Sequence, residues 1–113
     1  MKTDLTWLLK FTNGDAERAK KYVAIFLEQI PVFVQSASMA FEERDAKKLA
    51  RSIHSFKAQL LYFGLSEGNK LAIEIEKLCD NGNFNLIGNK LDSLITQCKE
   101  AETELKNSSY PIA

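Results

Sequence analysis

Residues 46–63 read AKKLARSIHSFKAQLLYF, and their pattern is the strongest indication of the fold in this chain. Its apolar side chains recur every three or four residues, which places them on one stripe of an α-helix with 3.6 residues per turn. The stretch therefore predicts an amphipathic helix that packs through one face. The residues of that stripe are Ala46, Leu49, Ile53, Phe56, Leu60 and Phe63.

His54 is the only histidine in the chain, and it lies outside this apolar stripe. At about 100° per residue its side chain points roughly 130° away from the centre of the stripe, so we expect the imidazole to face solvent or a partner. The surrounding face mixes positive charge with small and aliphatic groups, which suits docking of an acidic, phosphate-bearing surface. Its candidate partner-binding residues are Lys47, Ala50, Arg51, Ala58, Leu61 and Leu65.

Two interpretations of Leu61 and Leu65 stay open at this point. Either they form the apolar part of a docking patch, or a neighbouring helix or the N-terminal segment covers them. Trp7 and Phe11 are expected to anchor the first helix in the core, because single aromatic residues on a short amphipathic segment usually pack there.

Helices are predicted before this stretch as well. A short one runs from Asp4 to about Phe11, before the turn at residues 13–15. A long one runs from Ala16 to about Glu42, with Asp15 as its N-cap, and Pro31 predicts a kink or a break near residues 29–31. The expected buried stripe of the long helix is Tyr22, Phe26, Ile30, Phe33, Ala37 and Ala40.

Three helices follow residue 45 by the same reasoning. Asp45 caps the helix that carries His54, which stops around Gly64, and Ser66 caps the next one. That fourth helix buries Leu71, Ile75 and Leu78 and ends at residues 81–83, and the last helix follows at once; residues 107–113 are expected to be a frayed tail. The last helix has a regular apolar stripe: Ile87, Leu91, Leu94, Cys98, Ala101 and Leu105.

Four long amphipathic helices with short connections predict an all-α fold, an antiparallel up-down-up-down four-helix bundle with a short additional N-terminal helix. We expect a single domain over residues 1–113 with an ordered core of about 4–106. The content of apolar residues, 45%, excludes a disordered chain.

Charge and composition narrow the classes of function. Fifteen basic and fifteen acidic residues cancel, which argues against a nucleic-acid binder that depends on a broad basic surface. No uninterrupted apolar run approaches about 18 residues and residues 1–4 lack a secretory signal, so a cytoplasmic protein without a membrane partner is expected. Cys79 and Cys98 fit reduced, buried thiols rather than metal ligands, with a redox role as the alternative.

The residues around His54 and Lys57, together with several segments before and after them, resemble the histidine-containing phosphotransfer (HPt) domains of two-component phosphorelays. The resemblance begins with Asp4-Leu5-Thr6-Trp7-Leu8 and Gly14-Asp15 and continues through residues 26–31. It centres on His54-Ser55-Phe56-Lys57 followed by Gly64, and extends into residues 71–76.

The resemblance implies a phosphocarrier without kinase activity of its own. His54 would accept a phosphoryl group from an aspartyl phosphate on one receiver domain and pass it to another. Lys57 would stabilise the phosphoryl charge, and Glu76 is a candidate for orienting the imidazole. No cofactor is expected on this chain, because the receiver domain of a response regulator or hybrid sensor kinase would supply Mg²⁺.

Ala58 departs from the commonest pattern of the family, which has glycine after the lysine, so rate or partner choice is expected to differ. An alternative function is a four-helix module that binds receiver or kinase domains without being phosphorylated. The dimerisation helices of a sensor kinase would need an ATP-binding domain, and the 113 residues contain no such signature. A self-contained bundle predicts a monomer.

Overall fold

Five α-helices make up most of residues 3–107, the part of the chain that the computed structural model describes. No strand occurs within these residues. The expected frayed tail after residue 107 lies outside them. In chain order the helices are α1 (Thr6–Phe11), α2 (Ala16–Glu42), α3 (Ala46–Tyr62), α4 (Ser66–Asp80) and α5 (Gly88–Asn107).

Aspartate caps fix the starts of α2 and α3, as the sequence predicts. The Asp15 carboxylate accepts a hydrogen bond from the backbone N–H of Arg18 at 3.2 Å, and the Asp45 carboxylate accepts one from the backbone N–H of Lys48 at 3.1 Å. Each bond satisfies a backbone donor that has no partner inside the helix. The bounds of α2 and α3 therefore agree with the sequence prediction.

Each long helix packs against two others. Helix α3 contacts α2 and α4, and α5 contacts α4 and α2. Aromatic rings fill the space between α2 and α3: the Phe26 ring stacks on Phe63 with centroids 4.1 Å apart, and the Phe33 ring stacks on Phe56 at 4.3 Å. All six predicted stripe residues of the last helix are buried, although Ile87 lies just before α5 begins.

In two helices, some buried residues lie one position away from those predicted. In α2, Tyr22 is exposed and Val23 takes the buried position instead. In α4, Ala72 is fully buried whereas Leu71 and Leu78 lie half-buried at the edge of the core. Spacings of three and four residues are equally compatible with a helix, so the sequence pattern left the exact face ambiguous.

Two predicted boundaries were wrong. Ser66 is the first residue of α4 rather than its cap; Leu65 occupies the cap position without a side-chain hydrogen bond. The last helix does not follow α4 at once, because a short 3₁₀ turn at Phe84–Leu86 intervenes. The turn lets the Phe84 ring stack on Phe41 of α2 with centroids 5.2 Å apart.

Pro31 does not break α2, which continues from Ala16 to Glu42. Of the two predicted alternatives, a kink or a break, the break is therefore wrong. A proline inside a helix costs one backbone hydrogen bond, and the buried neighbours Ile30 and Phe33 hold this segment against the core.

Helix α2 is also long and apolar enough to cross a membrane, judged by length and composition alone. This is weak evidence, because the core helix of a soluble protein passes the same test. Phe26, Ile30 and Phe33 are buried among the other helices, whereas Ile25, Val32 and Met39 are exposed, so burial accounts for only part of the apolar content of α2.

Helix α1 packs through different residues from those predicted. Leu5 and Leu8 are buried, whereas Trp7 and Phe11 are exposed. The expectation that Trp7 and Phe11 anchor the first helix in the core is therefore wrong. A helix of six residues buries only one narrow side, and the leucines occupy it.

Gly64 connects α3 to the N-terminal segment. Its φ of +77° lies in the left-handed region, and a Cβ at this position would meet the backbone nitrogen of Asp4 at 2.5 Å. That nitrogen donates a 3.0 Å hydrogen bond to the carbonyl oxygen of Phe63. The missing side chain thus allows the segment before α1 to lie directly over the end of α3.

Gly64→Ala should therefore lower the free energy of unfolding more than Gly82→Ala does. Gly82 has a similar φ of +73° but nothing lies within 4 Å of its Cβ position. The left-handed conformation costs about 1–2 kcal/mol in both variants. The clash adds about 1–3 kcal/mol in Gly64→Ala alone. Urea unfolding measures both, and equal losses would show that the contact with Asp4 contributes nothing.

Candidate functional site

His54 projects from the outer face of α3. Its buried neighbours Ile53 and Phe56 turn inward, and the His54 side chain is 73% exposed. Nδ1 lies 3.2 Å from Oε2 of Glu76 on α4. No hydrogen-bond partner of Nε2 is found among residues 3–107. One ring nitrogen is thus engaged by the protein and the other is open to solvent.

Glu76 contacts both His54 and Lys57. Its Oε1 accepts a 2.6 Å hydrogen bond from Nζ of Lys57, while its Oε2 faces His54. Lys57 lies three residues after His54, so α3 presents both side chains to α4 from adjacent positions. A single carboxylate therefore links the imidazole and the ammonium group.

A second contact between the two helices lies two turns before Glu76 on α4. The side-chain amide of Asn69 donates a 3.0 Å hydrogen bond to the backbone carbonyl of Lys57. Asn69 and Glu76 are seven residues apart, two helical turns, and so share one face of α4. Sequence reasoning missed Asn69, and no local pattern marks it, because its partner is a backbone carbonyl on another helix.

The charge on Glu76 is stabilised where it lies. Burial of this carboxyl, whose side chain is 19% exposed, would raise its pKa. Hydrogen bonds from Lys57 and His54, the positive charge of Lys57, and that of His54 when its ring is protonated lower the pKa below its ordinary value of 4.5. An ionised carboxylate only accepts hydrogen bonds, so a neutral His54 carries its proton on Nδ1 and leaves the lone pair on Nε2. The site thus presents an uncrowded nucleophilic nitrogen.

Lys57→Met should raise the pKa of Glu76, because it removes the strongest hydrogen bond and the nearest positive charge while burial remains. NMR titration of the Glu76 carboxyl carbon measures this shift. Since the pKa of Glu76 is lowered in the folded state, its contribution to stability is present above about 4.5 and is lost as the pH falls through the folded value. An unchanged titration in Lys57→Met would contradict the pairing.

The remaining predicted docking residues do not share one environment. Lys47, Arg51, Ala58 and Leu61 are exposed on the face around His54, and Ala50 is half-buried against the core. Leu65 is buried, at 2% exposure, so its assignment to the docking face is wrong. The turn at Gly64 ends α3 and points Leu65 into the core.

Both cysteines are free and buried, as expected. Burial raises the pKa of Cys98 to about 12, and burial together with the nearby Asp80 and Glu76 raises the pKa of Cys79. Thiols in this state are poor nucleophiles. No group of three or more histidine, cysteine or acidic residues that could hold a metal is found within residues 3–107.

Comparison with protein families gives one match: residues 21–108 fit the family model described as Hpt domain. The matched region contains His54, Lys57, Asn69 and Glu76. Comparisons with curated proteins and with solved structures gave no match.

Proposed function

Because the chain belongs to the Hpt domain family, we propose that it is a phosphorelay carrier. His54 takes a phosphoryl group from one receiver domain and delivers it to another. Membership of the family implies a phosphotransfer role in two-component signalling. One observation carries the assignment of the site: the only histidine holds Nδ1 against a carboxylate and leaves Nε2 exposed.

The proposed step moves one phosphoryl group between two atoms. Nε2 of neutral His54 attacks the phosphorus of the aspartyl phosphate in line with the leaving oxygen. The Nε2–P bond forms, the P–O bond to the aspartate breaks, and the aspartate keeps the electron pair. The ring then carries positive charge, and its proton stays on Nδ1, where the Glu76 carboxylate stabilises it. Transfer to the second receiver reverses these changes.

Lys57 would compensate the charge on the phosphoryl oxygens. Its ammonium group has three protons and uses one of them on Glu76 in this structure. Two remain available for an incoming phosphoryl group without breaking the contact with Glu76. Glu76 thus acts as a positioning residue for both His54 and Lys57.

In this proposal the partner receiver domain supplies the metal ion and the phosphorylated aspartate. Mg²⁺ and the aspartate belong to the receiver domain, and this chain uses no cofactor and makes no phosphate from ATP. Hpt domains interact with receiver domains and kinases in phosphorelays. On this chain the receiver contacts the face with Lys47, Ala50, Arg51, Ala58 and Leu61, and neither nucleic acid nor a membrane is a partner.

We further infer that the four long helices run up-down-up-down and form one monomeric domain in the cytoplasm. The short connections and the pairs of contacting helices support this order. Hpt domains are generally soluble.

The test of the proposal is phosphoryl transfer from a panel of phosphorylated receiver domains encoded in the same genome. The expected result is label on this chain that acid removes, since phosphohistidine is acid-labile, and its onward transfer to a second receiver. A folded chain that binds a receiver but takes no label from any active donor would favour the interaction module and overturn the proposal.

A further inference from the structure

Four aromatic rings from three helices form a continuous exposed stack. The Trp7 ring lies between Tyr62 of α3 and Phe11, with centroids 4.4 Å and 5.0 Å away, and both pairs are stacked. The Phe11 ring meets Tyr22 of α2 edge-on at 5.6 Å. We call Tyr62, Trp7, Phe11 and Tyr22 the aromatic ladder.

The ladder leaves much apolar surface in solvent. The exposed fractions of Trp7, Phe11, Tyr22 and Tyr62 are 44%, 50%, 37% and 41%. At roughly 200 Å² per ring side chain, this leaves on the order of 300 Å² of exposed aromatic surface. The largest apolar patch on a typical soluble monomer covers about 300–600 Å² and is often functional, and the ladder reaches the lower end of this range. Because the rings hold one another, little side-chain entropy remains to be lost on binding.

The ladder lies within reach of a partner centred on His54. Tyr62 comes eight residues after His54, about 12 Å along the axis of α3. A standard interface covers about 800 Å² on each partner, which corresponds to a radius of about 16 Å. Leu61, seven residues after His54 and therefore on the same side of α3, is 53% exposed and joins the ladder to the His54 face.

The surface of α3 next to His54 is polar or small, and the nearby groove on the α2 side is lined by the exposed aliphatic residues Val32 and Met39 but by no aromatic ring. Ser55 and Ala58 are exposed beside the histidine, and Arg51 has no ion pair within residues 3–107. Binding energy in protein interfaces comes mainly from a few buried aromatic and arginine side chains. The ladder supplies such anchors, and the unpaired charge of Arg51 matches an acidic surface.

We propose that the aromatic ladder, together with Leu61, is the anchor through which a receiver domain docks while its aspartyl phosphate reaches His54. This inference rests on the proposed function. A receiver is the occupant rather than a second copy, because the ladder is continuous with the face that any phosphoryl donor must cover. The positive charge of Lys47 and Arg51 on that face complements an acidic receiver and would oppose a second copy of itself.

The test compares a Trp7→Ala/Phe11→Ala double variant with Leu86→Ala in transfer from an active receiver. Leu86 is also an exposed apolar residue, but it lies in the 3₁₀ turn before α5. Arg44, just before α3, donates a hydrogen bond to Asn85 of this turn, so the turn lies at the opposite end of α3 from Tyr62. The double variant should raise the receiver concentration at half-maximal rate by about 10- to 100-fold. Leu86→Ala should leave it within about twofold.

Leu61→Ala is a second variant, for use if the double variant fails to fold. Leu61 takes part in none of the contacts between the rings, so this substitution leaves the ladder in place. It should also raise the half-saturating concentration while the rate at saturation changes less. Unchanged half-saturating concentrations in a folded double variant and in Leu61→Ala would overturn the docking site. So would a loss of self-association in light scattering without any effect on transfer, which would assign the ladder to a second copy.

Phosphoramidate, a small donor that needs no docking surface, separates this inference from the proposed function. Wild-type chain labelled on His54 by phosphoramidate and by a receiver upholds the carrier, whatever the ladder variants do. If neither phosphoramidate nor a receiver labels the wild-type chain, both the proposed carrier function and the docking site are rejected. A labelled wild type with unaffected ladder variants rejects the docking site alone.

Discussion

His54→Gln is expected to reduce phosphoryl label on the chain to background, the largest effect of any substitution considered. Glutamine has no nucleophilic nitrogen, because its amide lone pair is delocalised. Its amide N–H can still donate to Glu76, and the position is exposed, so the fold should survive. Transfer of radiolabel from a phosphorylated receiver, followed by acid treatment, measures the loss.

Circular dichroism and thermal unfolding provide the control for His54→Gln. The variant should keep the helical signal of the wild type, with a midpoint changed by no more than a few degrees. Retained acid-labile label in this variant would move the phosphoacceptor to another residue and reject the site.

Lys57→Ala is expected to slow transfer by about 10- to 100-fold without abolishing receiver binding. Removing one preorganised donor from a reaction centre costs about 10²–10³ in rate, and the side chain of Lys57 remains 30% exposed, so solvent replaces part of its effect. Its loss should also shorten the lifetime of the phosphohistidine. Rapid-quench kinetics at saturating receiver separates the rate from the affinity.

Lys99→Ala is the matched control, because Lys99 is an exposed helix lysine on α5, which carries none of the site residues. It should transfer phosphate at the wild-type rate. If Lys57→Ala and Lys99→Ala behaved alike, Lys57 would be only an anchor for Glu76 and would have no role at the phosphoryl group.

Helix-by-helix periodicity predicted most of this fold, since α2 and α3 begin and end where caps and apolar spacing indicated. The errors arose where local pattern leaves two solutions. Tyr22 and Val23 both fit the α2 stripe, and only the packing of α2 against α3 and α5 decides between them. Pro31 illustrates tertiary contacts overriding a local helix breaker.

The candidate site also has features that the sequence predicted and features that it could not predict. The exposure of His54 followed from its position relative to one stripe, whereas contacts between helices depend on rotation and register that no local pattern encodes. The pairing of Lys57 with Glu76 and the bond from Asn69 to the Lys57 carbonyl belong to this second kind. Leu65 and Trp7 were misplaced for the same reason, because Gly64 turns one inward and α1 leaves the other outside.

NMR of the phosphorylated chain with ¹⁵N-labelled histidine shows which ring nitrogen of His54 carries the phosphoryl group. We propose that Glu76 holds Nδ1 and leaves Nε2 to carry it. After transfer from a receiver, the predicted result is phosphorus coupling to Nε2 of His54, with the proton retained on Nδ1. Phosphorus coupled to Nδ1, or no phosphohistidine in a labelled chain, would contradict the account.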